Sequence, residues 1–463
     1  MSEVSKINGY DIKDKQARTD ISNINIEKLR YEYSQNYHII DLPENLGIFF
    51  NRLSLYESYD KKDYKSYIDE SLLKNSGGNT IYVDKSNTQS PTAGTEANPY
   101  KNLTHAFQYS SDGDTIIVKK GIYNINDLPN DPGLRKNNVN IICDPGTLFI
   151  GGTTLSWSQN ETYTNVYQAS RTNVAYAIDI RNRENGIFTK LTERYSLESV
   201  ANNKGSFYKD GTNVYVNIDE EVNDNKVAVC IVLNYIPFNM YAFDKDMKVY
   251  IENATFLHST GRPLIRAGGS ASYNCEFNAK NCKFLFGGGN GWGSMVLADG
   301  NATYINCEAS FNKDSDGFTC HSDNGRACNV IELNCKGSYN GLLNTSGDLA
   351  NSSNGSTSHD GAHVIRINGT YFNNKGGNVA DVGTGTITLN YNCKAWDSLS
   401  SVEDYHKIDF GIQSTGTKMY LYTCFAKGNS KYNIYCYNGS SVINVYNCIY
   451  DTLGEDGTIN IVE

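Results

Sequence analysis

The sequence predicts an all-β fold: a right-handed parallel β-helix with a short helical N-terminal segment and an inserted antiparallel β subdomain. The first observation is the phrase Asn-Cys, which, with two relatives, returns every 24 to 34 residues in the second half of the chain. The copies are Asn281-Cys282, Asn306-Cys307, Asn334-Cys335, Asn392-Cys393 and Asn447-Cys448, and the relatives are Asn368-Gly369 and Thr423-Cys424. A period of this size is typical of a solenoid.

Short apolar runs before nearly every copy are the second observation. Runs such as Val330-Ile-Glu-Leu333 and Val364-Ile-Arg-Ile367 alternate with a period of two and are too short for helices. Gly, Asn and Asp separate them as turn residues. We therefore expect one rung per copy, with Asn and Cys stacked on themselves inside the solenoid. Zinc ligation or disulfides are the competing interpretation, but zinc sites use close pairs such as C-x2-C, and the sequence has none.

Composition limits the classes of function. The net charge of −10 argues against binding nucleic acid through its phosphates. No apolar run is long enough to cross a membrane, and we expect no secretion signal. Twelve Cys without close spacing favour free thiols and folding in a reducing cytoplasm. The 34 Tyr suit either a sugar-binding surface or simply strands, in which Tyr is frequent.

The rhythm of the sequence divides the chain into five predicted regions. The main solenoid follows a stretch in which the repeat of the rungs is not visible. An amphipathic helix near the start of the β-helix would cap the open end of the solenoid. In order, the regions are a helical N-terminal segment (1–35), a neck of short helices or loops (36–78), the start of the β-helix with its capping helix (79–149), an inserted β subdomain (150–232) and the main parallel β-helix (233–463).

Rare polar residues fall at matching positions of neighbouring rungs. His321 and Asp381 each lie four residues before a Gly that closes the rung, and His359 lies two before another. Neighbouring rungs are ~4.8 Å apart, so one group would activate another, or two would flank a scissile bond. Asp316 is a further candidate, with a turn aspartate as the alternative. We predict Asp316, His321, His359 and Asp381 as catalytic; a slip of one residue would turn a side chain inward.

The charge state of these histidines depends on two opposing effects. Nearby carboxylates favour a protonated His, whereas burial opposes it. This competition would set a groove acid near neutral pH.

Further residues on the same rungs are predicted to bind substrate. Glu332 and Arg366 align on neighbouring rungs, either as an outward ion pair or as part of the groove. Trp396 would stack on a sugar ring or anchor a packed loop. The loop at 338–358, in the longest rung, would form the wall of the site. We expect no cofactor and no metal, because no group of Asp residues forms a convincing calcium site. The predicted substrate-binding residues are Glu332, His363, Arg366, Trp396 and Asp409.

Three resemblances to known families are present in the sequence. Ile7-Asn-Gly-Tyr-Asp-Ile-Lys-Asp-Lys-Gln-Ala-Arg18 resembles the start of phage tail and baseplate proteins of Gram-positive hosts, which implies attachment to a virion. The stretches "NPYKNLTHAFQ" and "GDTIIVKKGIY" resemble the opening of pectate-lyase-like β-helix proteins. Asp316-Gly317-Phe318, His359-Asp-Gly361 and Arg366-Ile367 look like an incomplete polygalacturonase pattern, whose D-D pair has no match here.

The layout as a whole is similar to that of phage tail spikes and of capsule or teichoic-acid depolymerases. This resemblance implies a homotrimeric virion protein, assembled in the host cytoplasm, that binds and cleaves a bacterial surface glycan, by hydrolysis rather than elimination. A purely adhesive spike and a bacterial pectate-lyase-like enzyme are the alternatives. No nucleic-acid partner and no membrane insertion are expected.

Overall fold

The structure is a computed structural model. It describes residues 6–7, 10–11, 36–44, 46–89, 92–129, 137–257, 264–270, 272–287, 295–298, 300–313, 315–322, 326–342, 353–400 and 406–462. Within the predicted helical segment at 1–35 it describes only the antiparallel pair Lys6–Ile7 and Tyr10–Asp11. Residues 343–352 of the predicted wall loop lie outside the described part. None of the described helices is long and apolar enough to cross a membrane.

Three parallel sheets wind around one core, which confirms the predicted right-handed parallel β-helix. Two long strands, Asn140–Ile150 and Met247–Leu257, are shared between sheets 1 and 2. Sheet 1 also contains Thr80–Val83, Thr115–Val118, Cys275–Lys280, Asn301–Ile305, Asn329–Leu333, His363–Ile367, Ile387–Tyr391, Lys418–Tyr422, Val442–Tyr446 and Thr458–Val462. Sheet 2 also contains Ile122–Tyr123, Lys283–Leu285, Glu308–Ser310, Lys336–Ser338, Thr370–Phe372, Lys394–Trp396, Phe425–Lys427 and Ile449–Tyr450. Sheet 3 contains Phe238–Ala242, Ile265–Gly269, Met295–Ala298, Phe318–His321, Ser356–His359, Val379–Val382, Ile408–Ile412, Tyr432–Cys436 and Leu453–Glu455.

The repeated Asn-Cys phrase forms the corner between sheets 1 and 2. The Asn residues there have left-handed backbones, such as φ 53° at Asn306, which Asn tolerates better than most residues. Their side-chain amides form the predicted ladder, in which Nδ2 of Asn306 donates to Oδ1 of Asn281 at 3.0 Å and Nδ2 of Asn334 donates to Oδ1 of Asn306 at 3.0 Å. These three Asn are exposed at the corner, so the expectation of an interior Asn ladder is wrong.

The Cys that follows each corner Asn turns into the core, as predicted. Cys307 and Cys335 occupy the same register position, and the thiol of Cys307 donates to the carbonyl oxygen of Ala279 at 3.4 Å. The column is interrupted at Gly369, where an added Cβ would lie 2.5 Å from the ring of Tyr371. A thiol does not fit at this rung because the Tyr371 ring occupies the space.

Thiol chemistry tests this column directly. All twelve cysteines are free, and every one except the half-buried Cys448 is buried. We expect titration of the unfolded protein, without reductant, to find twelve thiols per chain. In the native protein Cys448 should react first, because the other thiols are shielded from the reagent. Fewer than twelve thiols per chain would contradict the prediction that all the cysteines, including those of the column, are free.

Residues 36–78 differ from the predicted neck of short helices or loops. They form an antiparallel sheet and two 3-10 helices that pack on the outer face of sheet 1, where Phe50 and Leu55 belong to one apolar cluster with residues of sheet 1 such as Ile365. Arg52 and Glu276 add an ion pair at 2.8 Å. The segment docks because the outward positions of sheet 1 are apolar. Its strands are Tyr37–Ile39, Leu53–Ser58 and Tyr64–Ile68, and its 3-10 helices are Ile48–Arg52 and Glu70–Leu72.

A short α-helix, Leu103–Tyr109, lies at the start of the solenoid. The side chain of Asn102 caps its N-terminus by accepting from the backbone N–H of His105. The three buried residues of the helix, Leu103, Ala106 and Phe107, join the core of the β-helix. This is the amphipathic face that the sequence predicts.

The predicted inserted antiparallel subdomain is present. It has a core of its own around Phe207 and Val214. Its five-stranded sheet consists of Ser158–Gln159, Tyr167–Ser170, Asn213–Asn217, Ser206–Lys209 and Thr192–Glu193. Its three-stranded sheet consists of Thr189–Lys190, Val174–Asp179 and Val227–Ile231, and its helices are Arg183–Asn185 (3-10) and Leu197–Ala201 (α).

Candidate functional site

A pair of stacked imidazoles lies on the outer face of sheet 3. His321 and His359 are register partners on neighbouring rungs, and their rings stack at 4.1 Å with an angle of 11° between the planes. They face outward because Phe318 and Cys320, which alternate with them along the strand, belong to the core. The structure therefore brings these two predicted residues together.

Hydrogen bonding fixes the tautomer of His359. The hydroxyl of Thr357 donates to the carbonyl oxygen of Ala380 at 2.6 Å, so its oxygen accepts from Nε2–H of His359 at 3.2 Å. Nδ1 of His359 consequently carries the lone pair. Burial, helped by the neighbouring His321, lowers the pKa of His359 to about 3. The expected groove acid near neutral pH is thus wrong for His359, because burial outweighs the nearby carboxylates.

Asp316 lies in the turn that precedes the first of these two strands. It is 8% exposed, and its Oδ1 accepts from the backbone N–H of Asn354 at 2.7 Å. Its Oδ2 accepts from the hydroxyl of Thr319 at 3.4 Å, and Thr319 pairs with Thr357 on the outer face. Burial raises the pKa of Asp316 to about 7 in spite of these bonds. At neutral pH the protonated and the ionised forms of this carboxyl group are therefore both present.

Asp381 does not join this face, which corrects the sequence prediction. It pairs with Ser358 rather than with His359, so its side chain points into the solenoid and is fully buried. The one-residue difference arises because the turns after sheet 3 vary in length, with Gly383 and Gly385 both left-handed in this rung. The closing glycines therefore do not mark a common register.

Arg366 crosses the solenoid interior to reach Asp381. Its Nη2 and Nη1 donate to Oδ1 and Oδ2 of Asp381 at 2.8 and 3.0 Å, and its Nε donates to the hydroxyl of Ser356 at 2.8 Å. Glu332 accepts from Ser356 at 2.8 Å and from the hydroxyl of Tyr371 at 2.7 Å. We call Glu332, Arg366 and Asp381 the core ion cluster.

The core ion cluster corrects the prediction of an outward ion pair or a groove lining. Glu332 and Arg366 are register partners, as the sequence indicates, but both are buried inside the solenoid. They point inward because they alternate with Ile331 and Ile365, which the N-terminal segment covers from outside. Apolar residues on both faces of a strand hide which face is the core.

Asp409 is also inside and corrects the prediction of a substrate-binding residue. Its carboxylate accepts from Nδ2 of Asn378 at 2.8 Å, from the hydroxyl of Ser430 at 2.5 Å and from Nδ2 of Asn433 at 2.7 Å. Burial raises its pKa to about 7, against the effect of these three bonds. Asp409 thus ends an interior amide ladder that continues through Asn378 to Asn374.

We expect Asp409→Asn to lower the free energy of unfolding by about 1–3 kcal/mol. The oxygens of Asn378 and Asn433 accept other hydrogen bonds, so neither amide can flip. The NH2 group of the new amide side chain would therefore face the NH2 group of either Asn378 or Asn433, so that two donors meet without an acceptor. Denaturant midpoints measure the effect, with Asp219→Asn at an exposed ion pair as the control. Equal stability of the two variants would contradict this assignment.

Trp396 ends a column of aromatic rings along the edge of sheet 2. It stacks on Phe372 at 4.7 Å with an angle of 2° between the planes, and the column continues through Tyr339 and Phe311 to Phe286 at 5.2–5.4 Å between ring centroids. Trp396 is half-buried, so its ring packs against a neighbour and also borders solvent. The sequence signal for this column is an aromatic residue at or just after the end of the five consecutive sheet 2 strands from Lys283–Leu285 to Lys394–Trp396.

His363 lies on a different side of the molecule from the imidazole pair. It begins a strand of sheet 1, whereas His321 and His359 belong to sheet 3. Burial beside the N-terminal segment lowers its pKa, which a contact with the backbone of Leu46 partly opposes. The structure therefore does not bring it to the predicted site.

Comparison with known proteins gives the following picture. No family model and no curated protein matches the chain. Among solved structures it is similar to XylC in complex with xylose, at 12% identity over 83% of this chain and 70% of that one, with a TM-score of 0.42. A glycoside hydrolase is 9% identical over 82% and 97%, with a TM-score of 0.41. The pectate lyase Pel9A is 10% identical over 84% and 78%, with a TM-score of 0.37. At such low similarity, function has to be argued from this chain's own residues.

Proposed function

We propose that this protein binds a bacterial cell-surface glycan on the flank of its β-helix and cleaves it by hydrolysis. The observation that carries the proposal is Asp316, whose pKa is raised to about 7 by burial and which hydrogen-bonds to Thr319 on the face that bears the imidazole pair. A carboxyl group that is partly protonated at neutral pH is suited to protonate a leaving-group oxygen.

Asp316, His321 and His359 have separate roles in this proposal. Cleavage of a glycosidic bond requires an acid for the leaving oxygen and a second group that activates water or attacks the sugar. Asp316 is the acid. His321 accepts the proton of the attacking water, and His359 accepts a hydrogen bond from a sugar hydroxyl at its unprotonated Nδ1. Asp381 has no direct role, because it is fully buried in the core ion cluster.

The biological setting that we propose is a phage tail spike or receptor-binding protein. The resemblance of Ile7-to-Arg18 to phage tail proteins supports a virion attachment at the N-terminus. A long solenoid that offers a continuous flank suits an extended glycan. In this setting the chain is a homotrimer, assembled in the cytoplasm of the bacterial host.

A glycan-binding spike without activity is the second candidate. The low exposure of Asp316, 8%, favours it, because a catalytic acid has to reach its substrate. In that case the imidazoles and threonines of sheet 3 supply hydrogen bonds alone.

Incubation with purified capsules, exopolysaccharides and teichoic acids from candidate hosts separates these functions. Hydrolysis of a glycan would produce new reducing ends, elimination would produce unsaturated ends, and cleavage of a phosphodiester would release phosphate esters. Binding without new ends would support the adhesive spike. The absence of both binding and cleavage across the panel would reject both candidates.

A further inference from the structure

A lysine-rich cleft lies between the inserted subdomain and the β-helix. Its volume is ≈ 590 Å³, and Lys190, Lys209, Glu193 and Tyr176 line it from the subdomain. Lys313 lines it from the β-helix. Both bodies therefore contribute cations to one concave surface.

Among the described residues that line the cleft, the charged ones are three lysines and one glutamate. Lys209 has an ion pair with Glu193 at 3.1 Å. Among the residues that the structure describes, no carboxylate lies within ion-pair distance of Lys190, whose ammonium instead lies 5.0 Å from the centre of the Tyr176 ring. Burial, together with Lys209 and Lys313, lowers the pKa of Lys190. The excess of lysine among the described lining residues contrasts with the net charge of −10 of the whole chain.

The position of the cleft connects it to the candidate site. Lys313 and Asp316 lie in the same turn between sheets 2 and 3, so their Cα atoms are at most ~11 Å apart. The backbone N–H of Lys313 donates to the carbonyl oxygen of Gly287 at 2.9 Å, which holds this turn against the preceding rung. On the other side, the ring of Tyr176 lies 6.4 Å from Phe286, the first ring of the aromatic column.

We infer that this cleft binds the anionic group of an acidic glycan, a carboxylate or a phosphate, and holds the chain beside Asp316 and along the aromatic column. A lysine ammonium acts as a point charge for either group. A partly buried cation gains more from a counterion than an exposed one, because solvent screens the pair less. The identity of the ligand as a glycan rests on the proposed function; the anion site itself does not.

Small anions test the cleft without any assumption about cleavage. The protein is titrated with sodium glucuronate, inorganic phosphate and neutral methyl glucoside at constant ionic strength, and its melting temperature is followed, since a ligand of the native state raises it. We expect glucuronate or phosphate to raise the melting temperature and methyl glucoside to have no effect. The anion with the larger effect identifies the group as carboxylate or phosphate.

Charge-neutral variants locate the effect. The double variant Lys190→Gln/Lys313→Gln should need at least about tenfold more anion for the same rise, whereas Lys394→Gln, at an exposed lysine of sheet 2, should behave as the unmodified protein. Without ligand, the variants should have melting temperatures and circular dichroism spectra similar to those of the unmodified protein. Three results would overturn the inference. They are a rise in melting temperature with methyl glucoside equal to that with the anions, no rise in melting temperature with either anion, and a full rise in the double variant. Anion binding without glycan cleavage would refute the proposed catalysis and leave this inference intact.

Discussion

Arg366→Met should lower the free energy of unfolding by about 3–5 kcal/mol, the largest loss that we expect from a single substitution in this chain. The guanidinium is fully buried and donates two hydrogen bonds to Asp381 and one to Ser356. Its removal leaves the carboxylates of Asp381 and Glu332 inside the solenoid without a cation. Denaturant-induced unfolding followed by circular dichroism measures the loss.

Acidification gives this prediction a second test. Burial already raises the pKa of Glu332 in the unmodified protein, where Arg366 opposes the shift. Without the arginine, burial holds the folded-state pKa of Glu332 still further above its unfolded value of about 4. The penalty is then smallest below pH ~4 and grows as the pH rises through the titration of the unfolded chain. The difference from the unmodified protein should therefore narrow from pH 7 to pH 4. Lys394→Met, at an exposed lysine, should cost no more than about 0.5 kcal/mol at either pH. A difference independent of pH would contradict this account.

Asp316→Asn should lower glycan cleavage at least ~100-fold while the melting temperature changes little. The amide keeps the shape of the carboxyl group and an oxygen for the backbone N–H of Asn354, but it has no proton to give to the leaving group. In the unmodified protein, cleavage should fall as the pH rises through about 7, the pKa of Asp316, because the acid form disappears. The residual activity of the variant should lack this decline.

An aspartate of the inserted subdomain provides the control. Asp219 is exposed and left-handed, with φ 66°, a conformation that Asn also adopts readily. Asp219→Asn should therefore keep both fold and cleavage. Full cleavage by Asp316→Asn would assign the acid elsewhere. A large loss of stability in that variant would make Asp316 a structural residue of the turn.

The rung register was predictable wherever the chain repeats itself. Asn306-Cys307 and Asn334-Cys335 mark a corner of constant length, so the period of the sequence equals the period of the structure. The period alone does not say which of the two side chains faces the core. The Asn is exposed because its left-handed backbone forms the corner itself, and this is a local property that a repeat does not reveal.

The sequence alone did not predict that the core ion cluster points into the solenoid. The alternation in Val364-Ile-Arg-Ile367 fits either face, because a segment some 300 residues earlier in the sequence covers the outer one. One signal in the sequence marks this rung: the Cys column is interrupted at Gly369, and Tyr371 follows two residues later. That tyrosine fills the space of the missing thiol and donates to Glu332. An interruption in a regular ladder thus indicates where the interior changes from apolar to polar.

The constant corner between sheets 1 and 2 determines how this molecule can be altered. From Asn301 to Lys427 every rung has five residues in sheet 1, two at the corner and three in sheet 2. One residue inserted there would turn the following side chains to the opposite face. All differences in rung length therefore fall in sheet 3 and the turns on either side of it. Exchange of these turns would thus change the surface around His321 and His359, while the opposite corner keeps the stacking of the rungs unchanged.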